Sequence, residues 1–346
     1  MQLYGQTWRR RELEARIGRL EQIAGVRRMA LTEGKEAGVE QIQVRTGAGL
    51  CYYVSPTRGL DISLAEFCGA PISWQAANGD VHPAYFDDKG LAWLRTAAGG
   101  LLMTCGLTQA GAPGRDGEQE LGLHGRAHHI PARQVAAEGR WQGDEYEMRV
   151  AGLVEESIIF GEHVRLAREI RSKLGSNTIE ITDVVENLAF TPAPLMLLYH
   201  FNFGFPLLTE ETVMRFPSHK VWPRDAWSPL EGHDRWAPPE PGHKERVYLH
   251  EEIDTVDGWA SASVHNPRFP IGAERKPLIV RLSWATENLP RLVEWRMAGA
   301  GEHVLGIEPT NVTVLGRADA RQQGTLVTLA PGEARTFAMR LDVEVG

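Results

Sequence analysis

Apolar and polar positions change their rhythm near residue 39. Before it, Leu13, Ile17, Leu20 and Ala24 recur at three- and four-residue steps among Arg and Glu. That spacing predicts one short N-terminal helix with a single apolar stripe. Gly18 inside the stripe weakens the helix by about 1 kcal/mol relative to alanine. After Val39 the apolar positions alternate, and Gly, Pro, Asn and Asp punctuate the chain at short intervals. The clearest strand is the last one. Phe337, Met339, Leu341, Val343 and Val345 alternate with Ala338, Arg340, Asp342 and Glu344, a period of two with one face inward. The turn signal Pro331-Gly332-Glu333 precedes it, and Leu326–Leu329 reads as its hairpin partner. Tyr146, Met148 and Val150 alternate in the same way, as do Val164 and Leu166, then Ile179 and Ile181. The continuous run from Leu195 to Tyr199 suits a strand covered on both faces.

Many short strands with few helices predict an all-β chain, a large antiparallel β-sandwich preceded by a short helix. No fixed-period repeat argues for a propeller or solenoid. Val221–Gly242 holds three tryptophans, Trp222, Trp227 and Trp236, and five prolines, which predicts a long ordered loop. An interdomain linker would be poor in tryptophan. The expected organisation is an extension over 1–38 packed on a single domain over 39–346.

At 346 residues, 42% of them hydrophobic and 24% charged, the chain is long and apolar enough for a sizeable core. A net charge of −8 argues against nucleic acid or an anionic membrane as partner, because both demand excess Lys and Arg. Cys51, Cys68 and Cys105 are odd in number and far apart, so neither a disulfide framework nor a metal-type pair is indicated. Met1–Gly5 runs into charged residues without an apolar signal core, and no stretch has the roughly 20 apolar residues of a membrane span. Cytoplasm is the default expectation, with the oligomeric state open.

Three segments place a titratable side chain in apolar or Gly-rich surroundings: Gly122-Leu123-His124-Gly125-Arg126, Leu198-Tyr199-His200-Phe201-Asn202-Phe203-Gly204, and Leu305-Gly306-Ile307-Glu308-Pro309-Thr310-Asn311. A buried His or Glu must be hydrogen-bonded or change its charge state, and such settings suit acid–base chemistry. Taken singly, each also fits a core histidine or a turn glutamate. Their order, a His-Gly first, a His followed shortly by Phe and Asn, and a Gly-x-Glu-Pro near the C-terminus, resembles the aldose 1-epimerase (galactose mutarotase-like) superfamily. Thr57–Ile62 and Gly99–Leu107 resemble an uncharacterised branch of it. The resemblance covers roughly Val44 to Val345. It departs from the family at Tyr-His-Phe-Asn, where Asn-His-x-x-Phe-Asn is usual, and at Thr310-Asn311 after the Glu-Pro.

The resemblance implies a sugar-binding β-sandwich that interconverts anomers of a free aldose without a cofactor. It makes Glu308 the general base, His200 the general acid toward the ring oxygen, and His124 a hydrogen-bonder to the C1 oxygen. Arg126 and Arg58 become candidates for substrate hydroxyls or carboxylates, and Asn202 and Asn311 for hydroxyls. The three loop tryptophans are candidates for stacking on a sugar face. Two other readings compete. One is a sugar-binding protein without turnover on the same scaffold. The other is a metal-dependent sugar isomerase using His124, His128 and His129 with His200 and Glu308. A glycosidase would need a carboxylate facing Glu308, for which Asp225 and Glu294 are the candidates.

Overall fold

The computed structural model describes all residues, 1–346, and the strands pair antiparallel into two large sheets and three two-stranded ones. The eight-stranded sheet holds the long alternating strands Glu145–Ser157, His163–Lys173, Thr178–Asn187 and Ala334–Val345. Their inward positions, such as Val150, Leu166, Ile181 and Met339, are buried, and their outward ones are largely charged. That is the period-two pattern expected of a sheet with one dry face. The eleven-stranded sheet runs, in part, Arg246–Ile253, Arg291–Gly299, Glu302–Thr310, Leu198–Phe203, Leu102–Cys105, Asp61–Phe67. Tyr199, Phe201, Phe203, Leu305 and Ile307 from it share one 51-residue apolar cluster with Val150, Leu166 and Met339 of the other sheet. No helix is long and apolar enough to cross a membrane.

A buried ionic knot crosses the sandwich. Arg168, wholly enclosed, donates from Nε and Nη2 to Asp183 at 2.9 and 2.6 Å and from Nη1 to Asp61 at 2.6 Å. Tyr199 donates its hydroxyl to Asp183 at 2.8 Å, and the Thr104 backbone N–H donates to Asp61 at 2.7 Å. The guanidinium fork satisfies two carboxylates at once, which is what makes a fully enclosed charge tolerable. Tyr199, the residue before His200 on its strand, and Thr104 also lie opposite one another on adjacent strands of the larger sheet.

Several expectations are corrected. The apolar stripe at the N-terminus is real, since Leu13 and Ala24 are buried with Leu3 and Leu174. It is not one helix, however. An α-turn over Arg10–Glu14 and a 3₁₀ turn over Leu20–Gln22 flank an irregular stretch at Gly18. Strand Gly25–Ala30 then pairs with Glu40–Arg45, so the sandwich already includes residues before 38. Leu326–Leu329 does not pair with the last strand. Thr328–Leu329 pairs with Ala193–Pro194, and Ala334–Val345 sits between Thr178–Asn187 and Glu274–Ala285. Turn chemistry at Gly332 (φ 75°) reverses the chain but does not choose its neighbour. The run from Leu195 is buried throughout, yet its strand begins at Leu198. The tryptophan-rich segment begins in strand Ser218–Pro223 and is irregular after it.

Removing one partner of the knot strands the other charges in a dry interior. Asp183→Ala is therefore expected to cost about 3–5 kcal/mol of unfolding free energy. Equilibrium urea denaturation checks this. A loss below about 1 kcal/mol would show that water reaches Arg168.

Candidate active site

The His200 and Glu308 strands are neighbours in the larger sheet. Phe201 lies opposite Ile307 and Leu198 opposite Thr310, a register that puts His200 beside Glu308. Phe201 and Ile307 point into the sandwich core. The alternation therefore turns His200 and Glu308 to the other face of the sheet. There Glu308 Oε1 lies 3.1 Å from His200 Nε2, with both residues buried. The approach is out of line for a hydrogen bond, and Glu308 Oε1 has no hydrogen-bond partner. Gly306 makes this closeness possible, because a Cβ there would stand 2.5 Å from Glu308 Oε1 and 3.0 Å from His200 Cε1.

His124 arrives from a loop rather than a strand. Its backbone is left-handed (φ 58°), and Gly125 follows at φ 72°. Gly125 has no room for a side chain, since a Cβ would lie 2.2 Å from the Gln109 carbonyl and 2.5 Å from that of Gly106. The Gly106 N–H donates to the His124 carbonyl at 3.0 Å, and the His124 N–H donates to Gly111 at 2.9 Å. Held in this strained turn, the half-buried imidazole lies 6.0 Å from that of His200, edge to face. His124 Nδ1 faces the Gly111 N–H at 3.4 Å, so it is the acceptor nitrogen and Nε2 carries the proton.

Aromatic rings wall the three side chains. Trp93 lies 5.0 Å from His124, Trp295 lies 5.3 Å from His200, and Trp74 lies 6.4 Å from Trp295. Trp74 and Trp295 remain partly exposed, whereas Trp93 is buried. Trp295 donates its indole N–H to Glu245 at 2.9 Å, and Glu245 accepts from Arg224 at 3.0 Å. These groups escaped the sequence reading. Trp295 carried a usable signal, a tryptophan at two-residue spacing from Val293 and Met297 and so on one face with them. Glu245 and Arg224 carried none.

Burial dominates the electrostatics. It pushes Glu308 well above the ordinary carboxylate range, and the nearby charge of Glu245 pushes it the same way against Arg224. Burial drives His200 down to about 3, aided by His124, with the Asn202 side chain opposing. His124 falls to about 4 for the same desolvation reason, against an upward pull from Glu245. A general base Glu308 and a general acid His200 call for an ionised carboxylate and a protonated imidazole, whereas burial pulls each group the other way. Both groups favour their neutral forms.

The remaining candidates are drawn into the scaffold. Arg58 is buried and donates to the carbonyls of Val81 and Thr96 and to His128 Nε2. Arg126 donates to Asp88 at 2.9 and 2.7 Å and to Glu156 at 3.1 Å. Asn311 accepts from the Leu197 N–H and donates to the Leu195 carbonyl. Asn202 donates to the carbonyls of Gly100 and His200, so it braces the His200 strand. Arg58, Arg126, Asn202 and Asn311 are thus all engaged in the scaffold, while Arg58 Nε and Asn202 Oδ1 keep no hydrogen-bond partner. Of the tryptophans, Trp236 is buried against His303, Trp227 is exposed under Lys244, and Trp222 lies beneath Lys220. His128 is held between Asp61 (2.6 Å) and Arg58, and His129 stacks on Phe86, so the three neighbouring histidines do not converge. Glu294 lies on the core-facing side of its strand, opposite Ile307, and does not confront Glu308.

Two large antiparallel sheets form a mutarotase-like β-sandwich, with His200 and Glu308 side by side on the outward face of the larger one. Residues 36–343 match the profile of a family described as a domain of unknown function, DUF4432, and the chain belongs to that family. A comparison with curated proteins finds no match. Among solved structures, the chain is similar to a protein from Klebsiella pneumoniae provisionally described as an aldose 1-epimerase. They share 25% identity over 92% of this chain and 83% of that one, with a TM-score of 0.82. It also shares its fold with a galactose mutarotase-like protein from Clostridium acetobutylicum, at 15% identity over 94% and 100% of the two chains (TM-score 0.58). The fold is shared again with galactose 1-epimerase from Lactobacillus acidophilus, at 12% identity over 93% and 99% (TM-score 0.58).

Two outcomes test this site directly. Ring-nitrogen NMR is expected to find neither His124 nor His200 as an imidazolium between pH 8 and pH 5; an imidazolium signal for His200 at pH 7 would contradict its depressed titration. Gly306→Ala is expected to cost about 1–3 kcal/mol by overpacking, read by thermal unfolding, and to widen the Glu308–His200 gap in a crystal structure.

Proposed function

We propose that the chain is an isomerase that interconverts the anomers of a free sugar at the His200–Glu308 groove, as an aldose 1-epimerase does. The observation that carries this reading is the 3.1 Å approach of Glu308 to His200, with a second imidazole, that of His124, 6.0 Å away and partly exposed tryptophans around them. A ring-opening isomerisation needs one group to take the C1 hydroxyl proton and another to protonate the ring oxygen. No net electron transfer occurs.

The pair supplies both roles with a single proton. When that proton lies on His200, Glu308 takes the hydroxyl proton and His200 gives its own to the ring oxygen. C1 then becomes a free aldehyde, the C1–C2 bond rotates, and closure from the other face reverses both transfers. Burial favours the alternative placement, with the proton on Glu308. The two placements have the same proton count, so the pair passes between them without a net gain or loss of a proton and titrates as one unit. His124, neutral with its proton on Nε2, donates to the C1 oxygen as charge develops there. Trp295 and Trp74 offer apolar faces to the C–H side of a sugar ring.

Polarimetry and saturation-transfer NMR on a panel of free aldoses and uronates test the proposal. Glu308→Gln and His200→Asn are each expected to slow anomer exchange by about 10²–10⁴ with thermal unfolding little changed. Sugar binding without faster exchange in the wild type would instead identify a binding protein. The wild-type rate should also be flat across neutral pH. Its acid limb should lie far below the ordinary histidine value, because His200 is depressed to about 3, so the pair gains a second proton and loses its base only there. Its alkaline limb should lie well above the ordinary carboxylate value, where the raised Glu308 gives up the shared proton and no acid remains. An acid limb near pH 6.5 would contradict the neutral pair.

A further inference from the structure

The core-facing side of the strand that carries Trp295 holds a second cluster of titratable groups, which the proposed isomerisation does not use. Glu294 on Arg291–Gly299 lies opposite Tyr248 of Arg246–Ile253, and His250 is two positions further along that strand. The two therefore project to the same side. His233 joins them from the irregular segment between Pro223 and Arg246. Glu294 Oε2 lies 3.0 Å from His233 Nδ1 and 3.3 Å from His250 Nε2, and the three ligand atoms all fall within 4.8 Å of one another. Glu294 and His250 are buried, and Glu294 Oε1 has no hydrogen-bond partner.

We propose that Glu294, His233 and His250 bind a divalent transition-metal ion, zinc foremost. Zinc bonded to imidazole nitrogen and carboxylate oxygen at about 2.0–2.2 Å in a tetrahedron sets its ligand atoms roughly 3.3–3.6 Å apart. The two separations from Glu294, 3.0 and 3.3 Å, lie near that scale, and the two ring nitrogens, within 4.8 Å of each other, need only a small adjustment to share one ion. Two imidazole nitrogens aimed at one oxygen leave the other oxygen bare in a dry site, a costly arrangement for a hydrogen-bonded triad. A cation uses both oxygens and the lone pairs of both rings.

The surroundings fit a ligand set. His250 Nδ1 meets Ser218 Oγ at 2.7 Å, the outer hydrogen bond that fixes the tautomer of a metal-bound histidine. Phe216 packs 4.6 Å from His250 and 5.8 Å from His233, an apolar shell that limits water. Arg296 is the nearest positive charge, with Nη1 3.7 Å from Glu294 Oε1. Its N–H groups are spent on the carbonyls of Gly232, His233 and Arg235, which shapes the turn bearing His233. That arrangement balances Glu294 when no ion is bound and lets the metal-free chain fold. A bound ion would staple this turn to the strand whose next residue, Trp295, lines the groove.

The test uses the full chain, stripped with chelator and titrated with Zn²⁺ against a chromophoric competitor, then with Co²⁺ followed by visible absorption. We expect one zinc per chain, a rise in melting temperature on binding, and a tetrahedral cobalt spectrum. His233→Asn, at the half-buried ligand, should weaken zinc by at least about 100-fold, more than loss of an outer-shell partner costs. Glu294→Gln should do the same. Melting of the stripped variants verifies that they fold. Absence of stoichiometric zinc binding, or equal affinity in wild type and both variants, would overturn the proposal and leave a hydrogen-bonded triad.

Discussion

The meeting of His200 and Glu308 depends on one pairing: strand Leu198–Phe203 against strand Glu302–Thr310 with Phe201 opposite Ile307. A sheet alternates its side chains, so a slip of one residue would send His200 into the core and Phe201 to the outer face. The apolar cost of that slip is large, because Tyr199, Phe201, Phe203, Leu305 and Ile307 would all leave the central cluster together. Packing behind the sheet thus enforces the chemistry in front of it. The Arg168 knot adds a polar lock, since Tyr199 must face the core to reach Asp183.

Once placed, the pair takes its character from desolvation. In water a glutamate and a histidine at neutral pH would be ionised and largely neutral, respectively. In a face covered by Trp93, Met103, Cys105 and Leu198, neither charge is well solvated, and the neutral forms of both are favoured. Gly306 is the steric counterpart of this electrostatic setting, because any side chain there would occupy the space in which the two groups meet. The left-handed turn at His124 makes the third group's position equally dependent on neighbours without side chains, notably Gly125.

Much of this was legible along the chain, and the limits follow from physical causes. Alternation identified the strands at Tyr146–Val150 and Phe337–Val345 because one face of each is dry. The pairing of Leu326–Leu329 was misjudged because a turn such as Pro331-Gly332 reverses direction locally, while the choice of neighbour is made by the whole sheet. His124, His200 and Glu308 stood out as titratable residues in apolar surroundings, and the fold does bring them together. Arg58, Arg126, Asn202 and Asn311 stood out for their donor chemistry, but the scaffold takes up most of those donors, Arg58 Nε excepted. Donor inventory is local, whereas satisfaction of donors is a property of everything nearby.

By itself the sequence determined the all-β character and the burial of the apolar stripe around Leu13 and Ala24, and it singled out His124, His200 and Glu308 as titratable residues in apolar surroundings. Periodicity and residue chemistry need no partner to be read. Tertiary structure alone decided which strands adjoin, which arginines were free, that Trp74 and Trp295 rather than Trp236 flank the groove, and that Glu294 belongs with His233 and His250. Each of these depends on contacts between segments tens to hundreds of residues apart. Such contacts are selected by the collective burial of the sandwich rather than by the chemistry of any one segment.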